Sequence, residues 1–217
     1  MHLFLIRHGE CRGQVVNDRD PDSPLTDYGR QQAKQAARVL ERHGVTHIVS
    51  SPLIRALETA QIVASTLAHP TVEVWPDLRE HYMAHHRGYG RMALLKLCTG
   101  ARFPAAITAS GWDHGGDTPS GAFARCQDVL DRVREEFATG DRVALVTHGG
   151  CANSLLHVLL GLAPNAPHFF ELGNGSISHL YLVPEAERLQ IGLTQLAPSW
   201  GRGCSAGGPR SAGSPRG

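Results

Sequence analysis

Three apolar runs in this chain end in the same way, and that repetition constrains the fold more than any other feature. "LFLI" runs into Arg7-His8-Gly9-Glu10. "HIVS" runs into Ser51-Pro52-Leu53-Ile54-Arg55, and "ALVT" into His148-Gly149-Gly150. Short apolar runs bounded by polar residues and glycine read as buried strands, and each of these is followed by a helical pattern. Strand and helix in alternation imply a largely parallel sheet covered on both faces.

The rest of the chain fits that reading. Strands are expected at Leu3–Ile6, Thr46–Val49, Val72–Trp75, Val143–Thr147, Phe169–Leu172, Ile177–Leu182 and Leu189–Leu193. Thr26 serves as the N-cap of a helix through about His43, with Ala33, Ala36, Ala37 and Leu40 at helical spacing and Gly44 ending it. Ser51-Pro52 reads as a cap with proline at the first helical position, opening a helix to about Ala68 that His69-Pro70 stops. Further helices are expected around Tyr89–Thr99, over Pro119–Ala138 and over Gly149–Leu160. The expected fold is a three-layer α/β sandwich with a mostly parallel central sheet, one domain over residues 1–198. The irregular stretch 76–118 reads as a lid or cap excursion. Residues 199–217, rich in Gly, Ser, Pro and Arg, read as a disordered tail.

Composition excludes several classes. A formal net charge of +1 argues against a nucleic-acid-coating surface. The apolar runs are too short to cross a bilayer, and Met1–Ile6 leads into Arg7 rather than a signal-peptide core, so a cytoplasmic protein without membrane contact is expected. The cysteines, Cys11, Cys98, Cys126, Cys151 and Cys204, are odd in number, scattered and free of any C-x-x-C, which fits reduced thiols better than disulfides or structural zinc. His81 and His85 have the i, i+4 spacing of a helical metal pair. However, no glutamate lies between them in the H-E-x-x-H sense, and "MAHHRGYG" reads as a loop, so His81, His85 and His86 are assigned to a lid over a polar substrate or to a solvated loop. No metal and no cofactor is expected.

In open parallel sheets, ligands sit beyond the carboxyl ends of the strands. If the three runs are parallel neighbours, Arg7, His8, Arg55 and His148 converge there. Arg7 and His8, adjacent on a strand, share a ligand only if the chain leaves the strand at that point, which Gly9 permits. Two guanidinium forks suit a dianion such as phosphate, and Arg55 opens a helix whose N-terminus also favours an anion. Two histidines beside them suit phosphoryl transfer, one as nucleophile and one as charge stabiliser.

These residues resemble a known family. Arg7-His8-Gly9-Glu10 after an apolar strand looks like the R-H-G-E signature of the histidine phosphatase superfamily, branch 1, with its phosphoglycerate-mutase-like fold. "SPLTDYGRQQA" (Ser23–Ala33), "SSPLIRALETAQ" (Ser50–Gln61), "LRE" (Leu78–Glu80), "VTHGG" (Val146–Gly150) and "LGNGSISHL" (Leu172–Leu180) resemble its other blocks in the same order. The resemblance implies that His8 takes up the phosphoryl group as phosphohistidine, that Arg7 and Arg55 clamp its oxygens, and that His148 completes the pocket. It implies that Glu80 protonates the leaving alkoxide and then activates water, with Glu10 a weaker candidate acid.

The chain also departs from the pattern. Cys11 and Gln14 stand where the family often has Ser or Thr and then Asn, leaving Gln14 and Asn17 as further phosphate-binding candidates. "HYMAHHRGYGR" follows Leu-Arg-Glu, and "GGDTPSG" (Gly115–Gly121) replaces a common Gly-Glu-Ser stretch. The expected activity is metal-independent hydrolysis of a small phosphorylated metabolite. The alternatives are a phosphoglycerate-type phosphomutase and a non-catalytic phospho-ligand binder. The expected partner is a small-molecule phosphate ester, and a homodimer is compatible with the sequence.

Overall fold

The elements run in the order β1 (His2–Arg7), α1 (Arg12–Val15), α2 (Asp27–Arg42), β2 (His47–Ser50), α3 (Ile54–Thr66), β3 (Val72–Val74), a 3-10 turn (Pro76–Leu78), β4 (His86–Gly88), α4 (Arg91–Leu97), β5 (Ala101–Arg102), β6 (Trp112–His114), α5 (Pro119–Glu136), β7 (Arg142–Thr147), α6 (Gly149–Leu159), β8 (Ile177–Leu182) and β9 (Leu189–Gly192). They come from a computed structural model that describes residues 1–16, 20–67, 71–167 and 169–182, and residues 189–192 by their backbone.

β1 sits inside the main sheet because its apolar side chains are buried on both faces. It pairs in parallel with β7 and antiparallel with β8. The sheet order is β5-β3-β2-β7-β1-β8-β9, and β1, β2, β3, β5 and β7 all run the same way. The period of two along a strand then builds two cores. Phe4, Ile6, Ala144, Val146 and Ile177 pack with Ala37, Leu40, Leu57 and Ala60 of α2 and α3. Leu3, Leu5, Val143, Leu145 and Leu180 pack with Val129, Leu130, Val133, Leu155 and Leu156 of α5 and α6. Each buried Val, Leu, Ile or Phe among them contributes about 1.5–3 kcal/mol against conformational entropy, and each Ala less. The result is the expected three-layer arrangement, helices on both faces of a mainly parallel sheet.

Caps set several helix ends. The Thr26 hydroxyl accepts from the Gly29 N–H at 2.9 Å, and Thr118 does the same for Gly121 at 3.1 Å, with Pro119 opening α5. Gly44 closes the α2 turn at φ +59°, a conformation that favours glycine.

Three expectations need correction. α3 opens at Ile54 rather than at Ser51-Pro52: the Ser51 N–H still bonds the Val146 carbonyl at 3.0 Å, so the chain is in the sheet where a cap was expected. Residues 169–172 form no strand, because the backbone of Phe170 is held on both sides by the Asn153 amide. The stretch 76–118 is more regular than expected. β4 and β6 form a two-stranded ribbon, β5 extends the main sheet beside β3, and the helix shortens to α4. Residues 199–217, read as a tail, lie outside the described residues.

Candidate functional site

β7 lies between β1 and β2, so the three matching strand ends are immediate neighbours. The His8 N–H bonds the Thr147 carbonyl at 2.9 Å, one step past the end of β1. The chain then turns away at Gly9. A Cβ there would lie 2.3 Å from the Gly29 carbonyl oxygen, and a Cβ on Gly29 would lie 2.0 Å from that of Glu10. The two glycines let this turn press against the start of α2.

His8 is 4% exposed. Its Nδ1 lies 2.7 Å from the Gly9 carbonyl, which can only accept, so Nδ1 carries the proton. Nε2 therefore presents a lone pair, which accepts from Arg55 Nε at 3.2 Å. Burial first, then the Arg55 charge and the weaker Arg7 charge, holds the His8 pKa well below 6.5, while the Gly9 bond opposes them. A neutral imidazole with an outward lone pair is the form that attacks phosphorus.

Arg55, in the first turn of α3, is 5% exposed and fixed on several sides. Its Nη1 donates to the Pro21 carbonyl at 2.8 Å and its Nη2 to the Tyr82 hydroxyl at 2.9 Å. The Asp22 carboxylate, 3.8 Å away, accepts from the Ile54 N–H at 2.6 Å. Burial raises the Asp22 pKa to about 7, against the pull of Arg55. Arg7 donates to the Leu172 carbonyl from the other side of the site. His148, fully buried, lies with its ring 5.1 Å from that of His8 and its Nε2 2.9 Å from Ser51 Oγ. Burial, then Arg55, then His8 hold it neutral as well.

Glu80 reaches the same place from the loop after the 3-10 turn. One carboxylate oxygen accepts the N–H groups of Cys151 at 3.1 Å and His81 at 3.0 Å, and the other accepts that of Gly150 at 3.2 Å. Two of these donors belong to the α6 N-terminus, whose orphan N–H groups this side chain satisfies. A Cβ on Gly150 would lie 2.6 Å from Glu80 Oε1, so the second glycine of "VTHGG" makes room for the acid. Buried Arg125 holds the Leu-Arg-Glu backbone, donating to the carbonyls of Asp77 at 2.6 Å and Arg79 at 3.1 Å. Asp117, from the departing "GGDTPSG" block, pairs with both Arg79 and Arg125.

Arg7, His8, Gln14, Arg55 and Glu80 line one pocket of about 310 Å³, together with Cys11 and Tyr82. Gln14 exchanges amide hydrogen bonds with Asn174, which also donates to the His8 carbonyl at 3.1 Å. Cys11 is the N-cap of α1, and its backbone N–H donates to Gln14. Glu10 is engaged elsewhere, accepting from the Thr26 hydroxyl at 2.7 Å beside the α2 cap. Asn17 lies outside the described residues. Sequence reasoning missed Asp22, Tyr82 and Asn174, because nothing in their spacing marks them. Tyr82 and Asn174 stood within quoted blocks, Asp22 just outside one. It also missed a cluster of His81, Cys126 and Cys151, which come from three distant segments. Within it, the hydrogen bond between the Cys126 and Cys151 sulfurs pulls the Cys151 thiol pKa down, against burial.

Known proteins resemble this chain over most of its length. The family model described as histidine phosphatase superfamily (branch 1) matches residues 3–191. A probable phosphoglycerate mutase of Yersinia enterocolitica is 32% identical over 187 residues, covering 83% of this chain and 84% of its own. Phosphoglycerate mutase-like protein 4 of Arabidopsis thaliana is 32% identical over 158 residues, 70% of this chain and 68% of its own. Among solved structures, a mycobacterial glucosyl-3-phosphoglycerate phosphatase superposes with a TM-score of 0.65 at 26% identity, covering 91% of this chain and 99% of that one.

Proposed function

The chain belongs to branch 1 of the histidine phosphatase superfamily, and we propose that it hydrolyses a small phosphorylated metabolite through a phosphohistidine on His8, without a metal. The observation that carries this reading is the state of His8: proton on Nδ1, lone pair on Nε2, guanidinium groups on both sides.

In the proposed first step the Nε2 lone pair attacks phosphorus and the bond from phosphorus to the ester oxygen breaks. Arg7 and Arg55 balance charge on the phosphoryl oxygens, and Glu80 gives its proton to the departing alkoxide. In the second step Glu80, now a carboxylate, takes a proton from water as the water oxygen attacks phosphorus, and Nε2 leaves with its lone pair restored. His148, fully buried with its ring 5.1 Å from that of His8, does not itself line the pocket and acts by packing against the nucleophile. The pocket volume lies at the small end of the range for ligand sites, which suits a small ester.

A phosphomutase reading is kept because relatives at 32% identity are described as phosphoglycerate mutases. It differs in one demand, that water be kept from phosphohistidine. The test is hydrolysis of an aryl phosphate in excess chelator by wild type and His8→Ala, followed by a panel of phosphorylated metabolites. Hydrolysis that persists in chelator and disappears in His8→Ala is expected, with free phosphate as the product. Loss of activity in chelator would overturn the metal-free mechanism. Isomerised product in place of free phosphate would make the enzyme a mutase.

A further inference from the structure

The phosphoryl chemistry uses neither the thiols of Cys126 and Cys151 nor the imidazole of His81, and none of the three lines the phosphate pocket. Cys126 lies on α5, Cys151 in the first turn of α6, and His81 in the loop after Glu80. Both thiols are free and fully buried, while His81 is half-buried. One potential ligand atom from each lies within 4.8 Å of the other two, and the sulfurs are 3.9 Å apart. His81 Nε2 is buried with no hydrogen-bond partner among the described residues.

These distances can be compared with a tetrahedral zinc site. Zn–S bonds of about 2.3 Å and Zn–N bonds of about 2.05 Å place two sulfurs roughly 3.8 Å apart and a sulfur and a nitrogen roughly 3.6 Å apart. The sulfurs already stand close to that separation, and the imidazole needs to close by about 1.2 Å at most. A disulfide, in contrast, requires sulfurs about 2.05 Å apart. Charge fits as well. Two thiolates neutralise a divalent ion where Cys126 and Cys151 pack among apolar core side chains, with the Glu80 carboxylate on the Cys151 and His81 backbone and the Arg125 guanidinium also acting on Cys151. Thiolate and imidazole donors select zinc over magnesium or calcium.

We propose that His81, Cys126 and Cys151 form a three-ligand binding site for one zinc ion. Binding forms two Zn–S bonds and one Zn–N bond and releases the two thiol protons to solvent. The fourth position is left to water. The site adjoins the acid of the active site, since the backbone N–H groups of His81 and Cys151 both hold Glu80. It stands apart from the phosphatase reading, whose test is run in chelator and does not need the ion.

The full chain, kept reduced with a phosphine, is titrated with cobalt(II) as a coloured stand-in for zinc. One equivalent should produce thiolate-to-cobalt absorption in the near ultraviolet and intense tetrahedral bands in the visible, and one equivalent of zinc(II) should abolish both. Cys126→Ser should roughly halve the thiolate band or weaken binding at least tenfold. His81→Gln, at a half-buried position that keeps the fold, should weaken binding at least tenfold. Cys98→Ser and Cys204→Ser should change neither band. The proposal is overturned if wild type shows no thiolate band, if His81→Gln binds cobalt like wild type, or if Cys98→Ser or Cys204→Ser removes the signal. Circular dichroism of each variant separates loss of a ligand from loss of fold.

Discussion

At the scale of single residues, the site is organised around the protonation state of one imidazole. An unfolded-chain histidine takes up a proton as pH falls below about 6.5, whereas buried His8 and His148 resist it. The stability they contribute is therefore present above pH 6.5 and lost as pH falls below it. For the chemistry, His8 remains a neutral nucleophile at mildly acidic pH. Nitrogen-15 shifts of its ring should report a proton on Nδ1 and a bare Nε2 at about pH 6.5, where a free histidine is half protonated. An imidazolium signature near pH 6.5 would remove the desolvated-nucleophile account. Glu80 makes a second prediction. Glu80→Gln keeps most of the shape but can neither donate nor accept the proton, so alkyl phosphates should slow by roughly 10²–10⁴-fold. Aryl phosphates, whose leaving groups need little protonation, should lose less in their phosphorylation step. Equal losses in single-turnover rates would exclude Glu80 as the acid.

At the scale of elements, the turn after β1 depends on two backbones in contact. Gly29→Ala would drive a methyl group into the Glu10 carbonyl, which cannot move without shifting Gly9 and the His8 ring bonded to it. It should cost about 1–3 kcal/mol in urea unfolding and lower kcat as well. Gly140→Ala, with nothing within 4 Å of the added Cβ, is the control and should change neither. Wild-type stability in Gly29→Ala would show that the close approach is not needed.

The same elements mark what a reader of the sequence can and cannot see. The three strand ends were legible because polarity changes abruptly after each apolar run, and the parallel-sheet rule says where such ends point. Glu80 was found by its Leu-Arg-Glu block, but its partners were not, because the N–H groups of Gly150 and Cys151 become donors only once α6 forms. The opening of α3 was misjudged because Ser-Pro is a good cap locally, yet pairing with β7 keeps Ser51 in the sheet. Residues 169–172 looked like a strand because apolar content does not show that Asn153 would take the Phe170 backbone groups.

At the scale of the molecule, the pocket gathers side chains from β1, α1, α3 and the loop before β4, so a bound anion ties together segments far apart in sequence. Binding to the folded state alone stabilises it by mass action, about 2.7 kcal/mol at a hundred times Kd. For a chain of this size that is a rise of roughly 5–10 °C in Tm. Inorganic phosphate should produce such a rise in wild type, and Arg55→Ala should abolish most of it at the same concentration. An equal rise in both proteins would place phosphate outside this pocket.

Among the described residues, no helix is long and apolar enough to cross a membrane. The covalent step can be observed directly. The enzyme is mixed with a phosphate ester, quenched in alkali within one turnover, digested and mapped by mass spectrometry. A phosphoryl group is expected on the peptide containing His8, at Nε2, appearing before free phosphate and absent from His8→Ala. Turnover with no phosphorylated intermediate, or with the group on another residue, would contradict it.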